Sequence, residues 1–576
     1  MTSRFSSNPA ALIALFLALA IFSCSEKKAP ADLIIRGGTI YTVEDSNPVV
    51  EAVAVTDGRI VYAGDAENLC KYEGANTQVI DLMGKTMTPG FIEGHGHFMG
   101  LGYSELNLDL MSVTSYEELV EKVKQAVSKS QPGQWIVGWG WHQDKWTIKP
   151  EKMIKGFQTH QLLSEVSPNN PVFLRHASGH AGFANAKAMQ VAGVNQLSLE
   201  KLAKDMGEGG EIIRDELGNP TGIFNERAQV LIAQHIPDDT EETDSLAAEL
   251  AMASCLKNGI TSFHDAGVSR ENISLFKKFK AENKLTTRLY VMITGFDSNL
   301  VYEWLRKGPE VDSSGLLTIR SIKLNCDGAL GSRGAWLLEP YTDRPGFSGM
   351  ATLSMDTVLK ISREALKEGF QVCSHAIGDR ANREILDRYE IALSENPEKS
   401  NDHRFRIEHA QHIHPADIAR FGKMGVIPAM QAVHLSSDRP WAIERLGEKR
   451  IKEGAYMWQS LLKSGAVVVN GTDVPVEPIN PIASFFASVT RQTLLSQPEG
   501  GYEPEEKMTR SQALKSYTLD AAYGAFEEKI KGSIAPGKLA DFTIFTKDIM
   551  TVADDQILST EVSMTIVGGK VLYEKK

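Results

Sequence analysis

The stretch TPGFIEGHGHFMG, residues 88–100, places His95 and His97 one residue apart behind an apolar segment. In a β-strand alternate side chains point to the same face, so both histidines can reach one point in space. Gly94 and Gly96 leave room around them. This geometry suits a metal ion, but a lone His-x-His pair also occurs incidentally at strand ends. The rest of the chain has to supply the other ligands.

The overall composition excludes several classes of function. A length of 576 residues predicts a large domain with at least one smaller one. Hydrophobic residues make up 42% and charged residues 23%, which is ordinary for a folded globular protein. The formal net charge is −12 without a basic block, which argues against nucleic-acid binding and against electrostatic docking on anionic lipid. We therefore expect a small-molecule substrate that is not a polyanion.

The N-terminus carries a short apolar run, residues 10–22, followed by Cys24 and a polar stretch. This run is too short to span a bilayer and is typical of an export signal. The cysteine after Ser23 resembles the bacterial lipoprotein cleavage site, although the residues before it match loosely. We expect residues 1–24 to be a signal peptide and the protein to be periplasmic or on an outer surface, lipid-anchored through Cys24. An ordinary secretory peptide or an uncleaved signal anchor is the alternative.

Both ends of the chain show the pattern of antiparallel strands. Over residues 32–85, segments such as LIIRGGTIYTV and TQVIDL are separated by Gly, Asp and Asn turn signals. The pattern returns over residues 532–576 in GSIAPGKLADFTIFT and VSMTIVGGKVLYEKK. Because the termini of a domain often lie close together, we predict one discontinuous β-sandwich domain from the two segments.

Between these ends, strand-like apolar runs alternate with helical stretches. The eight runs are MTPGFIEGHGH, GITSFHDAG, TTRLYVMITG, SIKLNCDGA, FQVCSHAIGD, RFRIEHAQ, GVIPAMQAV and AVVVNGTDVP. Repeated β-α units predict parallel strands, most simply an α/β fold with a (β/α)8 TIM barrel over residues 86–531. Polar residues end almost every run, and the catalytic face of this barrel lies at the C-terminal strand ends. That placement favours an active site over scattered core histidines.

The segment of about residues 100–255, between the first and second runs, is too long for a βα loop. It is rich in aromatic, Gly and His residues, and we predict an inserted subdomain that caps the barrel mouth. His176 and His180 within it are candidate substrate contacts, with a surface or packing role as the alternative. Trp139 and Trp141 are expected in the core of the cap first and at the substrate wall second.

Other strand ends supply partners for the His-x-His pair. The candidates are Lys323 in the fourth run, His375 ending the fifth, His409 ending the sixth and Asp473 ending the eighth. Nitrogen and carboxylate ligands at converging strand ends suit a divalent transition metal, with zinc as the default and manganese, iron or cobalt as alternatives. Lys323 has an alternative role as a buried ion-pair partner of Asp327. The alternative role of Asp473 is that of a turn or helix-cap residue.

The blocks TPGFIEGHGH, IKLNCDGALGSRGAWLLEPY, CSHAIGDRAN, RIEHAQ, NGTDVPVEP and GSIAPGKLADF, in this order, resemble the amidohydrolase superfamily. Within it they are most similar to the YtcJ-like amidohydrolases related to N-substituted formamide deformylase. The resemblance covers nearly the whole chain after the signal. It implies a barrel with a flanking β-sandwich, which the strand pattern predicts separately.

The resemblance also implies one or two divalent metal ions. The implied ligands are His95, His97 and Asp473 for a first ion, His375 and His409 for a second, and a carbamylated Lys323 as the bridge. Carbamylation requires a neutral amine, and burial in an apolar strand lowers the pKa of a lysine. An unmodified lysine favours a single ion. Glu93 stands where the superfamily commonly has Asp, which leaves its supporting role open.

We predict metal-dependent hydrolysis of a non-peptide carbon–nitrogen bond, as in an N-acyl or N-formyl amide. A metal ion lowers the pKa of bound water to about 7 and polarises the carbonyl, while Asp473 accepts the water proton and passes it to the leaving amine. Ser332, Arg333 and Tyr341, on the loop after the fourth run, are candidate substrate contacts. The alternatives are hydrolysis of cyclic amides, esters or amidines (deamination) at the same site, or a non-catalytic solute-binding lipoprotein.

Overall fold

Three β-sheets with surrounding helices make up the part of the chain that the structure describes. The computed structural model describes residues 28–177, 179, 181–194, 210–237 and 240–576. The predicted signal peptide with Cys24, and His180 of the insertion, lie outside the described residues. Among the described residues, no helix combines the length and the apolar character that a membrane span requires.

The first sheet joins the two ends of the chain. Its eight strands are β1 (Leu33–Tyr41), β2 (Val49–Thr56), β3 (Arg59–Gly64), β4 (Gln78–Asp81), β5 (Thr86–Pro89), β20 (Phe542–Phe545), β21 (Val562–Val567) and β22 (Lys570–Glu574). Strand β5 pairs with β1 on one side and, antiparallel, with β20 on the other. Inward-facing apolar residues such as Ile35, Val53 and Phe542 form its core. The first sheet thus combines strands from both ends of the chain.

The second sheet is a parallel barrel. Its strands are β6 (Phe91–Gly96), β13 (Ile260–Val268), β14 (Arg288–Thr294), β15 (Leu317–Asn325), β16 (Gln371–Ala376), β17 (Arg406–His409), β18 (Ile427–Met430) and β19 (Val469–Asn470). The eight predicted runs are these strands in order. The ends meet where β6 passes β19, so closely that a Cβ at Gly94 would stand 2.3 Å from the carbonyl oxygen of Asn470. The predicted (β/α)8 fold class is confirmed.

Helices surround the barrel and the terminal sheet. They are α1 (Phe98–Leu106), α6 (Glu241–Lys257), α7 (Arg270–Ala281), α8 (Ser298–Lys307), α9 (Met355–Glu368), α10 (Asp379–Ser394), α11 (Pro415–Met424), α12 (Ala432–Gly454), α13 (Trp458–Lys463), α14 (Pro481–Thr490), α15 (Arg510–Ser516), α16 (Leu519–Tyr523) and α17 (Asp554–Ile557). Helix α9 shows the local logic: the Ser354 side chain caps its start and Gly369, at φ 78°, ends it. Its buried face, including Val358 and Ala365, packs into the main core. The helices thereby fix the strand ends that carry the polar residues.

The third sheet lies in the insertion. Its strands are β7 (Leu108–Asp109), β8 (Ile136–Trp141), β9 (Val172–His176), β10 (Ala181–Ala184), β11 (Gly210–Arg214) and β12 (Pro220–Glu226), with helices α2 (Tyr116–Ser128), α3 (Gln161–Val166), α4 (Ala186–Val191) and α5 (Val230–Ala233). Short 3-10 helices span Ala66–Lys71, Gln143–Lys145, Arg227–Gln229, Ser400–Asp402 and Pro504–Glu506. Helices α1 and α6, at the ends of the predicted insertion, pack into the barrel core. In the chain, the strands of the inserted sheet follow α1 and precede α6.

The insertion contacts the loop that follows the last barrel strand. Trp139 Nε1 donates to the carbonyl oxygen of Pro475 at 3.2 Å, and Lys145 Nζ lies 3.8 Å from Glu477 Oε1. Trp141, in contrast, is fully buried within the insertion's own core. The insertion thus borders the C-terminal mouth of the barrel.

Candidate metal centre

The His-x-His pair lies at the closure of the barrel. His95 is the buried penultimate residue of β6, and His97 follows as the N-cap residue of α1. Asp473 Oδ1 lies 3.4 Å from His95 Nε2 and 3.1 Å from His97 Nε2. Potential ligand atoms of His95, His409 and Asp473 all lie within 4.8 Å of one another. These three buried residues form a group that could hold a metal ion.

Hydrogen bonds behind the histidines orient their rings. The Nδ1 partners are Glu408 for His95, the carbonyl oxygen of Ala266 at 2.8 Å for His97, and Gln431 Oε1 at 2.7 Å for His409. Carbonyl and carboxylate oxygens only accept hydrogen bonds, so each Nδ1 carries the proton and each Nε2 keeps its lone pair. Contacts of this kind fix the tautomer and orientation of metal-binding histidines. The three Nε2 atoms are therefore available as ligands.

The backbone turns sharply at two of the candidate ligands. His409 has φ 70° and Asp473 has φ 61°, both in the left-handed region that residues other than Gly rarely adopt. The Asp473 backbone N–H donates to the carbonyl oxygen of His95 at 2.8 Å, which holds the turn against the first strand. Strained backbone of this kind persists where the surroundings impose it, often at functional sites.

A buried ion pair supports His95. Arg406 Nε lies 2.7 Å from Glu408 Oε1, and both side chains are fully buried. Burial raises the pKa of Glu408, but Arg406 and His95 outweigh it and hold this pKa below its ordinary value. Glu408 therefore stays ionised and accepts from His95. Sequence reasoning missed this pair, although charged residues at alternate positions of the RIEHAQ strand signal side chains that need buried partners.

Glu93 supports Asp473 from the opposite side. It is fully buried, and its carboxyl group accepts from the Thr472 backbone N–H at 2.6 Å and from Thr472 Oγ1 at 3.0 Å. Burial raises the pKa of Glu93 to about 8 despite these hydrogen bonds. Glu93, which is one methylene longer than the Asp common at this position in the superfamily, thus accepts hydrogen bonds from Thr472, the residue immediately before Asp473.

Lys323 and His375 complete the cluster. Lys323 is buried on β15, with Nζ 3.5 Å from His95 Nε2, and burial lowers its pKa. Asp327, the alternative partner of Lys323, lies instead 3.3 Å from His375 Nε2 and accepts backbone N–H groups just before α10. The rings of His375 and His409 are 4.5 Å apart between centroids. The structure thus brings all six predicted ligands to one end of the barrel.

The chemistry of this set fits a divalent transition metal. Within the described part of the chain, Asp473 Oδ1 and His375 Nε2 are buried without a hydrogen-bond partner. Buried polar atoms are normally satisfied, and an ion would satisfy these. Burial lowers the pKa of His95 and of His409, which favours the neutral rings that metal binding requires.

The predicted substrate contacts on the loop after β15 have structural partners within that loop. Tyr341 is buried and donates its hydroxyl to the carbonyl oxygen of Ala335 at 2.8 Å. The guanidinium of Arg333 lies 2.7 Å from Asp343. Ser332 is exposed and donates to a nearby backbone carbonyl. These contacts account for the three side chains without a substrate.

Two other histidines have packing environments. His176 is buried in the insertion, with its ring 4.7 Å from that of Trp141 and 4.4 Å from that of His142. His264 is fully buried on β13, and its Nδ1 lies 3.1 Å from Arg406 Nη1. His264 therefore belongs to the support behind the centre.

Sequence reasoning also missed His434, which lies beside the centre, and Asp438 on the same helix. His434 lies in the first turn of α12, with its ring parallel to that of His409 and the centroids 6.2 Å apart. Asp438 follows one turn later. The available signal was the His-x-x-x-Asp spacing in HLSSD directly after the seventh strand, which places both side chains on one helix face.

Comparison with known proteins identifies the family. Residues 78–573 match the Amidohydro_3 group, described as an amidohydrolase family. The chain is 32% identical to a putative amidohydrolase, YtcJ, of Bacillus subtilis, over 94% of this chain and 99% of the relative. It is 28% identical to an N-substituted formamide deformylase of Arthrobacter pascens, over 94% of this chain and 98% of that relative. A crystal structure of a metal-dependent hydrolase from Pyrococcus horikoshii OT3 superimposes with a TM-score of 0.71 at 27% identity, covering 91% of this chain and 99% of that one. The chain therefore belongs to the amidohydrolase family of hydrolases.

Proposed function

We propose that this protein hydrolyses a non-peptide carbon–nitrogen bond, as in a small N-acyl or N-formyl amide, using one or two divalent metal ions, with zinc as the first candidate. The convergence of His95, His409 and Asp473 carries this proposal. Similarity over nearly full length to an N-substituted formamide deformylase supports an amide as the substrate class.

The residues of the centre have distinct tasks in this reaction. A bound divalent ion supplies a Lewis acid and lowers the pKa of water to about 7. Asp473 accepts the proton of the attacking water and passes it to the leaving amine. An aspartate carboxylate is ionised at neutral pH, which is the form that can accept this proton.

Whether Lys323 is carbamylated determines whether the proposed centre holds one ion or two. Burial lowers the pKa of its amine and so favours the neutral form that reacts with carbon dioxide. The resulting carbamate would join the group of His95, His97 and Asp473 to that of His375 and His409. An unmodified amine would leave a single ion.

The first experiment is elemental mass spectrometry of the chain expressed from Ser25 onward without chelator, followed by a screen of N-formyl and N-acyl amides for amine release. About two equivalents of metal support the bridged site, and about one supports a single-ion hydrolase. No metal after reloading with zinc or manganese would overturn the proposal in favour of a solute-binding protein. Release of ammonia from amidines, without amide cleavage, would support deamination.

We further propose that the protein is exported and anchored by lipid at Cys24. The apolar run before this cysteine and the polar stretch after it support the proposal. Labelled fatty acid should enter the wild-type chain in a bacterial host and should be lost in Cys24→Ala. Equal labelling of both chains, or none in either, would contradict lipidation at this position.

A further inference from the structure

His434 forms part of the wall next to the candidate metal centre. Its ring lies parallel to that of His409, at an interplanar angle of 14° and a centroid distance of 6.2 Å. The residue is only 7% exposed, and its buried Nε2 has no hydrogen-bond partner among the described residues. A buried polar atom without a partner is unfavourable, so a ligand or water is expected to supply one.

Asp438 lies one turn further along α12 and is partly buried. Its hydrogen bonds are long, at 3.3 Å from Gln411 Nε2 and 3.5 Å from Ser437 Oγ. Burial raises the pKa of Asp438 to about 6. Within the described ranges of the chain, no lysine or arginine forms an ion pair with it. A carboxylate in such a place normally has a cationic or strongly donating partner.

The charged groups around Asp438 do not include a lysine or arginine that pairs with it among the described residues. Lys145 of the insertion acts electrostatically on Asp438, but its ammonium lies 3.8 Å from Glu477 Oε1. Glu477 acts on Asp438 as well and adds a second negative charge. The pair of Lys145 and Glu477 is neutral overall, and the other group that acts electrostatically on Asp438 is the imidazole of His434.

We propose that His434 and Asp438 form a subsite for an ammonium group of the substrate, so that the preferred substrate is an amide whose amine part carries a second, positively charged amino group. This inference rests on the proposed function. An ammonium group offers three hydrogen-bond donors and one positive charge. Asp438 supplies the opposite charge, and His434 Nε2 accepts a hydrogen bond when Nδ1 carries the proton. The two side chains share one helix face, which His409 also borders.

The test compares binding of 1,4-diaminobutane and pentylamine to the zinc-loaded chain by isothermal titration calorimetry at pH 7.5. The two amines have similar length, so the second ammonium group makes the difference. We expect the diamine to bind about tenfold more tightly or better, the size of one hydrogen bond to a charged group. Asp438→Asn should remove most of this preference. His434→Phe, which keeps a ring beside His409, should reduce it.

Asp387→Asn is the matched control, because Asp387 pairs with Arg420 on the outer side of α10 and should leave the preference intact. Equal affinity for both amines in the wild type, binding of neither at millimolar concentration, or a preference that survives Asp438→Asn would overturn the subsite. The assay needs no turnover, so a protein that discriminates the amines but cleaves no amide would disprove the hydrolase proposal alone. Cleavage of N-formylpentylamine without any diamine preference would disprove the subsite alone.

Discussion

Two buried clusters of charged residues occupy opposite ends of the barrel, and they differ in how their polar atoms are satisfied. At the end where β14 begins, Arg288 makes two hydrogen bonds to Asp541, at 2.6 and 2.9 Å. Arg288 also donates to a backbone carbonyl, and Asp541 accepts the Gly568 N–H at 2.8 Å. At the other end, Asp473 Oδ1 and His375 Nε2 have no hydrogen-bond partner among the described residues.

This difference is the one expected between a structural ion pair and a site that binds a ligand. The Arg288–Asp541 pair joins the barrel to the terminal sheet, and its contacts leave nothing for a ligand to add. The opposite cluster keeps Nε2 lone pairs and a carboxylate oxygen directed to one point, which is unfavourable unless an ion or substrate binds. In a (β/α)8 barrel the strand C-termini carry the chemistry and the opposite end carries stability.

The largest expected effect is on activity, from Asp473→Asn. The side-chain amide of the introduced Asn cannot accept the water proton and binds a metal ion less well than the carboxylate does. Amine release should therefore fall about 10³-fold or more. The midpoint of thermal unfolding of the metal-free protein should change little. Turnover that stays near the wild-type rate would show that Asp473 is not the base.

The reverse pattern is expected from Arg288→Met. Removing one partner of a buried pair leaves Asp541 unpaired and should destabilise the protein by about 3–5 kcal/mol, as measured by denaturant unfolding. Activity per folded molecule should persist. A double variant that also carries Asp541→Leu should recover part of the stability, and a single variant as stable as the wild type would contradict a structural role.

A smaller, pH-dependent effect is expected at Glu93. Burial raises the pKa of this carboxyl from 4.5 to about 8, so its contribution to stability is present below about pH 4.5 and is lost as the pH rises through about 8. Glu93→Gln should remove that part of the pH dependence. The variant should therefore gain stability relative to wild type between pH 5 and pH 8 in metal-free denaturant titrations. A pH-independent difference between the two chains would refute the assignment.

The smallest effect is expected from Tyr341→Phe. Its hydroxyl donates to the carbonyl oxygen of Ala335, so the variant should lose about 1 kcal/mol of stability. KM should not change, because the structure gives this side chain a backbone partner. A large rise in KM at unchanged stability would instead support the substrate contact predicted from the sequence.

Sequence patterns were sufficient for the fold because they are local. Alternation of strands and helices, turn residues at both termini and polar residues at strand ends predicted the barrel and the joined β domain. The same strand ends led to His95, His409 and Asp473, since parallel strands bring their C-termini to one edge. The loop residues Ser332 and Tyr341 had no such geometric rule, and their partners proved to be in the loop itself.

By itself, the sequence determined which side chains stand at the C-terminal ends of the eight strands, because residue periodicity follows directly from backbone geometry. Only the tertiary structure decided which of these side chains have hydrogen-bond partners for their buried polar atoms. It placed Arg406 behind Glu408, held Asp473 through Thr472 and Glu93, and left Asp473 Oδ1 and His375 Nε2 without a hydrogen-bond partner in the described part of the chain. Hydrogen bonding of a buried atom depends on neighbours that are distant in the chain, and no local pattern encodes them.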